Sequence, residues 1–354
     1  MLVVHGLDIS YFTGKLEGYL RAKGLAYRLQ EMDTRAFRRL GRITGVQQMP
    51  QLELPDGRWM TDTVRIIDAL EAEHPAPSLT PEDAVCAFIA GLIETYGDEH
   101  LWRPALYYRW AFADDARLMS ARLARGMLRD VPGPLALKRR FILMRQRAHY
   151  LHGEGVTTAN RRELEADYLL LLDALEPVLR QRNWVLGDAP TRADIGLFGP
   201  LFRHFHCDPT PGRILRDRAP AVAAWVTRLW ALEDVPDTDA RSLDQVPDDL
   251  APLFALIRTR FLPELVANAA AVATGEREVL HCITPNAPIR YRSNPYRAGR
   301  LYRLQHEHAA LDGLSRVRVT DILGVELSGP LFPPAAALPF QPGGLRDRWG
   351  RPTR

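Results

Sequence analysis

At 354 residues, with 46% apolar and 25% charged side chains and a net charge of +3, the chain is long enough for two domains and apolar enough for buried cores. No run approaches the roughly 20 apolar residues that span a bilayer, and no basic segment followed by a long apolar one opens the sequence, so no membrane partner is expected and the reading is cytoplasmic. Cys86, Cys207 and Cys282 lie too far apart for a disulfide framework, and the mild positive balance, carried almost entirely by Arg, does not point to nucleic acid.

Residues 1–76 alternate strand and helix signals, which predicts an α/β unit. Strands are expected at Leu2–Val4, Tyr27–Glu31, Gln51–Leu54 and Arg58–Met60, and helices at Phe12–Lys23, Arg35–Leu40 and Thr63–Glu73. Phe12, Leu16 and Leu20 share one helix face, as do Val64, Ile67 and Leu70, so both helices can bury a stripe on a small sheet. Pro55-Asp56-Gly57 is a hairpin signal that makes the last two strands antiparallel. Pro50, just before a strand, is a candidate cis bond that would present the Met49 backbone to an extended ligand; the alternative is a trans proline on an edge strand. Asp62-Thr63 opens a helix whose free N–H groups and positive dipole end can hold a carboxylate; the plainer alternative is an N-cap.

His74-Pro75-Ala76-Pro77-Ser78 is a natural linker, and the chain then reads as helical over 81–232. Leu164, Tyr168, Leu171, Leu172 and Leu175 trace one face of a long helix ending before Pro177, and Thr191 with Asp194 forms a capping box ahead of an apolar helix from Ile195 to about Phe205. An acidic linker over 233–246 leads to a third region, 247–330, with an amphipathic helix near Leu250–Ala273, possible strands at Val279–Ile283 and Val317–Thr320, and a helix near Tyr296–Leu311. Residues 331–354, rich in Pro, Gly and Arg, read as disordered. His204, His206 and Cys207 could be taken for metal ligands, but positions two apart on a helix face different ways, and no metal is expected. Arg290, Arg292, Arg297, Arg300 and Arg303, among three tyrosines, read as a solvated or salt-bridged face rather than a nucleic-acid patch.

An α/β unit, a proline linker and an all-α unit, in that order, resemble the glutathione S-transferase family. Three segments carry the likeness: "VQQMPQLELPDG" (Val46–Gly57) before and through the third strand, "MTDTVRIIDALEAEHP" opening the third helix, and "GDAPTRADIGLFGPLF" at the capped core helix. The resemblance covers about residues 1–232. It implies a thioredoxin-like glutathione-binding domain (1–76), an all-α substrate domain (81–232) and a C-terminal extension of unknown role. It further implies glutathione as co-substrate, a homodimer, and detoxification-type transfer of the thiolate to a small apolar electrophile, or isomerisation or cleavage of one. Gln48, Met49, Pro50, Asp62 and Thr63 then hold the tripeptide, with Asp62 taking its ammonium group.

By spacing, Ser10 falls where the family places its catalytic Ser or Cys, and its hydroxyl would stabilise the bound thiolate; Tyr11 is the reserve, since "YFTGKLE" is also similar to the tyrosine-type members. As a helix start, Ser10 has a purely structural alternative, a cap. Neither Ser10 nor Thr13 is a thiol, so disulfide exchange at this turn is excluded. The segment "DEHLWRPALYYRWAF", in the region that faces the sulfur in the family, offers Trp102, Arg103 and Tyr107 as an electrophile pocket. The run "SYFTGKLEGYLR" is also similar to metaxin-type relatives, which leaves open a non-catalytic binding or scaffold protein on the same fold.

Overall fold

The structure, a computed structural model, describes residues 1–232 and 245–327. It opens with β1 (Leu2–Gly6), α1 (Tyr11–Ala22), β2 (Tyr27–Glu31), α2 (Thr34–Thr44), β3 (Gln51–Glu53), β4 (Trp59–Thr61) and α3 (Thr63–Glu73). The sheet order is β2-β1-β3-β4, with β2 parallel to β1 and β3 and β4 antiparallel, so Val4 lies beside Leu29 on one side and Leu52 on the other. This is the thioredoxin-like arrangement. Gly57, at φ 83°, makes the β3–β4 turn that the Pro-Asp-Gly signal announced. Leu16 and Leu20 of α1 and Val64, Ile67 and Leu70 of α3 are buried as the periodicity required. Phe12 stays half-buried at the near end of α1.

A linker with a cis Ala76–Pro77 bond leads to the helical unit: α4 (Ala84–Glu99), α5 (Trp102–Ala111), α6 (Ala113–Gly126), α7 (Leu135–Gln146), α8 (Arg161–Gln181), α9 (Arg192–Pro200), α10 (Pro209–Arg218) and α11 (Pro220–Trp230). The Thr191–Asp194 capping box starts α9, and Asp194 also takes N–H groups from Val185 and Trp225. Where a stop was expected before Pro177, α8 runs through it to Gln181, because Val178 and Leu179 stay buried and the packing continues past the missing N–H.

Helices α4 and α9 cross at glycines. A Cβ on Gly196 would run into the Cα of Glu94, and one on Gly97 into the carbonyl of Gly196. Gly196→Ala is therefore expected to lower stability by about 1–3 kcal/mol through overpacking. A urea midpoint within error of the wild type would show that the crossing can yield.

The third region is not a separate body. A short helical turn, Asp248–Leu250, leads to α12 (Ala251–Leu256), a π-helical turn (Ile257–Phe261), α13 (Leu262–Thr274), the hairpin β5 (Glu278–Cys282) with β6 (Pro288–Arg292), α14 (Pro295–Ala310) and α15 (Gly313–Leu323). The possible strand at Val317–Thr320 is instead the middle of α15. Asp312 caps that helix by accepting the Ser315 N–H at 2.9 Å, and Val319 and Leu323 bury on one face of it, which outweighs the β-branched propensity. The second strand of this region is Pro288–Arg292, paired with β5. The expected disorder of 331–354 lies outside the described residues, as does most of the 233–246 linker.

Candidate functional site

One cavity of about 470 Å³ lies where the three parts of the chain meet. Its α/β wall is the turn into β3, Gln48-Met49-Pro50, and the start of α3, Asp62-Thr63. The Met49–Pro50 bond is cis. Gln48 donates its side-chain amide to Thr61 Oγ1 at 2.7 Å, and Gln51 donates to the carbonyls of Val46 and Gln48 at 3.1 and 3.2 Å, so the turn is tied to the sheet it precedes. Asp62 is the N-cap of α3 and accepts the Val64 N–H at 3.1 Å. It holds φ 74° and ψ 109°, a backbone that a non-glycine residue adopts at a cost of about 1–3 kcal/mol and that structures retain mainly at working sites. Burial pushes its carboxyl above the ordinary range, against the pull of Arg300, Tyr296 and the Val64 N–H.

The helical wall adds Asp98 and Glu99 from α4, Trp102 from α5, and Glu154. Asp98 receives two bonds from the buried Lys15 of α1, at 2.6 and 2.9 Å. Burial pushes Glu99 up to about 7, against the attraction of Arg297. Phe12 of α1 stacks on Trp102 with ring centroids 5.6 Å apart, giving the cavity an aromatic side. The third contribution, Asn294–Arg297 at the start of α14, comes from the extension.

Two family profiles match the sequence: "Glutathione S-transferase, N-terminal domain" over residues 4–78 and "Glutathione S-transferase, C-terminal domain" over residues 157–233. The chain belongs to the glutathione S-transferase family. Among solved structures it is similar to a β-etherase from Sphingobium sp. strain SYK-6, with 21% identity over 65% of this chain and 95% of that one and a TM-score of 0.47. A glutathione S-transferase from Methylobacterium radiotolerans in complex with glutathione sulfonate is 21% identical over 68% and 99% of the two chains, with a TM-score of 0.41. A GST-like protein from Pseudomonas syringae is 18% identical over 65% and 67%, with a TM-score of 0.43. No curated protein matches the sequence.

On this glutathione S-transferase fold the sequence-predicted residues part company. Gln48, Met49, Pro50, Asp62, Thr63 and Trp102 all line the one cavity. Ser10 does not line it: half-buried, it caps α1, its Oγ accepting the Thr13 N–H at 3.4 Å. Tyr11 is fully buried and donates its hydroxyl to the Gly97 carbonyl in the α1–α4 seam, so the reserve role as thiol activator does not fit its geometry. Arg103 and Tyr107 do share a face, but it is rotated away from Trp102's. Arg103 pairs with Glu264 at 2.7 Å and with the Glu154 carbonyl at 3.0 Å, and Tyr107 donates to Glu165 on α8 at 2.6 Å. Both belong to helix packing rather than to an electrophile pocket.

Phe12, Glu99, Glu154 and the 294–297 turn were not singled out from the sequence as parts of the site. Glu99 adjoins Asp98 at the head of the quoted aromatic segment, and a carboxylate pair next to Trp102 was the available signal. Of the arginine-rich stretch, Arg297 and Arg300 are buried and ion-paired while Arg290 and Arg292 are exposed. The His204 ring sits against the Ala105 carbonyl, and Asp208 is held by Arg109. No helix among the described residues is long and apolar enough to cross a membrane.

Proposed function

We propose that the chain binds glutathione in this cavity and activates its thiolate for conjugation to, or isomerisation or cleavage of, a small apolar electrophile. The observation that carries the reading is the meeting, in one cavity, of the cis Met49–Pro50 turn and the strained acidic start of α3. An extended peptide can pair with the backbone of the turn, its γ-glutamyl carboxylate can rest on the first N–H groups of α3, and its ammonium group on Asp62. Trp102 and Phe12 supply the apolar side that an electrophile needs. In this reading residues 1–76 hold the tripeptide, 81–232 supply most of the electrophile side, and two chains form a homodimer.

Ser10 is the proposed activator. Its oxygen accepts the weak bond from Thr13, and its own O–H remains a donor for a thiolate, which would favour the charged sulfur and lower its pKa. A second reading, a non-catalytic glutathione-binding or scaffold protein, is favoured by one observation: neither Ser10 nor the Tyr11 hydroxyl lines the cavity.

A retained site adds about 2.7 kcal/mol of stability at ligand 100 times Kd. A melting-temperature rise with millimolar glutathione is therefore expected. Turnover of a generic aromatic electrophile should fall roughly 10- to 100-fold in Ser10→Ala, the loss of about 1.5–3 kcal/mol from a hydrogen bond to an ionised sulfur. Ser10→Gly should fall equally while keeping most of the cap's stability, since glycine is a tolerable N-cap. Binding without turnover supports a non-catalytic binding protein, and no melting shift favours the scaffold reading.

A further inference from the structure

The extension reaches the cavity at one point with specific chemistry. Asn294 caps α14, accepting the Tyr296 N–H at 2.9 Å, and is itself clamped by Asn268, which donates to its carbonyl at 2.9 Å and accepts its N–H at 2.8 Å. Past that cap Tyr296 extends to the α/β unit and donates its hydroxyl to Asp62 Oδ1 at 3.2 Å, joining residues 234 positions apart. The next turns of α14 pin this approach. Arg297 pairs with Glu154 at 3.2 Å and Glu99 at 3.4 Å, Arg300 donates to Thr95 at 2.8 Å, and Arg303 meets Asp68 of α3 at 2.6 Å. Tyr296 is thus held by its own helix against the other two walls of the cavity.

The direction of the Tyr296 bond follows from chemistry. Burial beside Asp62 keeps the phenol protonated far above its ordinary range, so it donates and Asp62 accepts. Oδ1 of Asp62 therefore carries two donors, the Val64 N–H and the Tyr296 O–H, both neutral. Two neutral donors fix the plane of the carboxylate without neutralising it, and Arg300, the charge that acts on it most strongly, is engaged by Thr95 and Asp98. A buried, oriented, incompletely compensated carboxylate on a cavity wall is a receptor for a cation.

We propose that the C-terminal extension is the third wall of the ligand site and that Tyr296 is a positioning residue, orienting Asp62 to receive the ammonium of an α-amino-acid end such as the γ-glutamyl group. This rests on the glutathione reading above for the identity of the ligand, and on the Tyr296–Asp62 contact alone for the positioning. Tyr296 touches no reacting atom; it acts through Asp62.

The test uses the full chain and measures glutathione and N-acetylated glutathione, which lacks the ammonium, by titration calorimetry in wild type, Tyr296→Phe, Asp62→Asn and the double variant. Tyr296→Phe is expected to weaken glutathione about 5- to 10-fold and leave the N-acetylated analogue within twofold. In the Asp62→Asn background the same change should cost less than twofold, because the two residues act as one unit. An equal loss for both ligands, an undiminished loss without the Asp62 charge, or tighter glutathione binding in Tyr296→Phe overturns the proposal; the last result would mean that the hydroxyl competes with the ammonium. If wild type binds neither ligand, the glutathione reading falls and the ammonium with it. The ligand-free titration of a labelled Asp62 carboxyl then judges the positioning: it should move upward in Tyr296→Phe, which removes a donor that favours the charged form, and an unchanged titration overturns that too.

Discussion

Replacing Lys15 with alanine is expected to destabilise the chain by about 3–5 kcal/mol, the usual cost of removing one partner from a buried ion cluster. The Lys15 ammonium is fully buried where α1 meets α4, 2.8 Å from Glu94 and 2.6 Å from Asp98. Arg192 holds Glu94 from its other side at 2.8 Å, and that carboxyl stays well below the ordinary range despite its burial. Asp98 has less support: burial keeps it above the ordinary range even beside Lys15, and Arg300 is 3.6 Å away. Without Lys15 the uncompensated charge is therefore that of Asp98, which also lines the cavity. Lys15→Met combined with Asp98→Leu removes both charges and should recover much of the loss, since paired buried ions replaced by apolar groups of similar size are often close to neutral. Urea unfolding of the single and double variants decides it. A single-variant loss under 1 kcal/mol would mean that solvent reaches the cluster, contrary to its burial.

Asp62→Asn is expected to weaken glutathione about 10- to 100-fold while leaving the melting temperature of the free chain within a few degrees. Asparagine caps helices about as well as aspartate and is among the residues that best tolerate positive φ, so the α3 start should keep its shape and lose only its charge. A charge-assisted bond to an ammonium contributes about 1.5–3 kcal/mol, which sets the range. Asp62→Ala is the poorer experiment, because it removes the cap and the charge together. If calorimetry gives an affinity within twofold of wild type, the ammonium lies elsewhere in the cavity, with Glu99 the next carboxylate to test.

The two effects differ in kind, and so does how readily each could be read. Asp62 was legible because its signal is local. An acidic residue and a threonine before an apolar helical stripe define a cap, and Thr63–Glu73 has the same limits in the structure as in the sequence. The Thr191–Asp194 box and the Pro-Asp-Gly hairpin are local in the same sense. Each is decided by φ/ψ preference or by hydrogen bonds spanning a few residues, so the surrounding fold had only to agree.

What the tertiary structure decided is every contact whose partner lies far along the chain. That Lys15 is buried follows from Glu94 and Asp98 reaching it from α4, and a lone lysine beside a glycine carries no mark of that. Tyr11 and Ser10 are neighbours with equivalent-looking hydroxyls. Only the docking of α1 on α4 turns the Tyr11 hydroxyl toward the Gly97 carbonyl and leaves Ser10 as a cap. Arg103 and Tyr107 share a face by helical spacing, but which neighbour that face meets was set by α8 and α13. The same holds for the extension. Its arginines are the default cation of this chain, and composition alone made them a solvated or salt-bridged face; carboxylates of α4, more than 190 residues earlier, made Arg297 and Arg300 interior. Local sequence determines where helices and turns begin, because those choices close within a turn of chain. Which side chains face the cavity depends on how separate elements pack, and that free energy is shared among residues no short window contains.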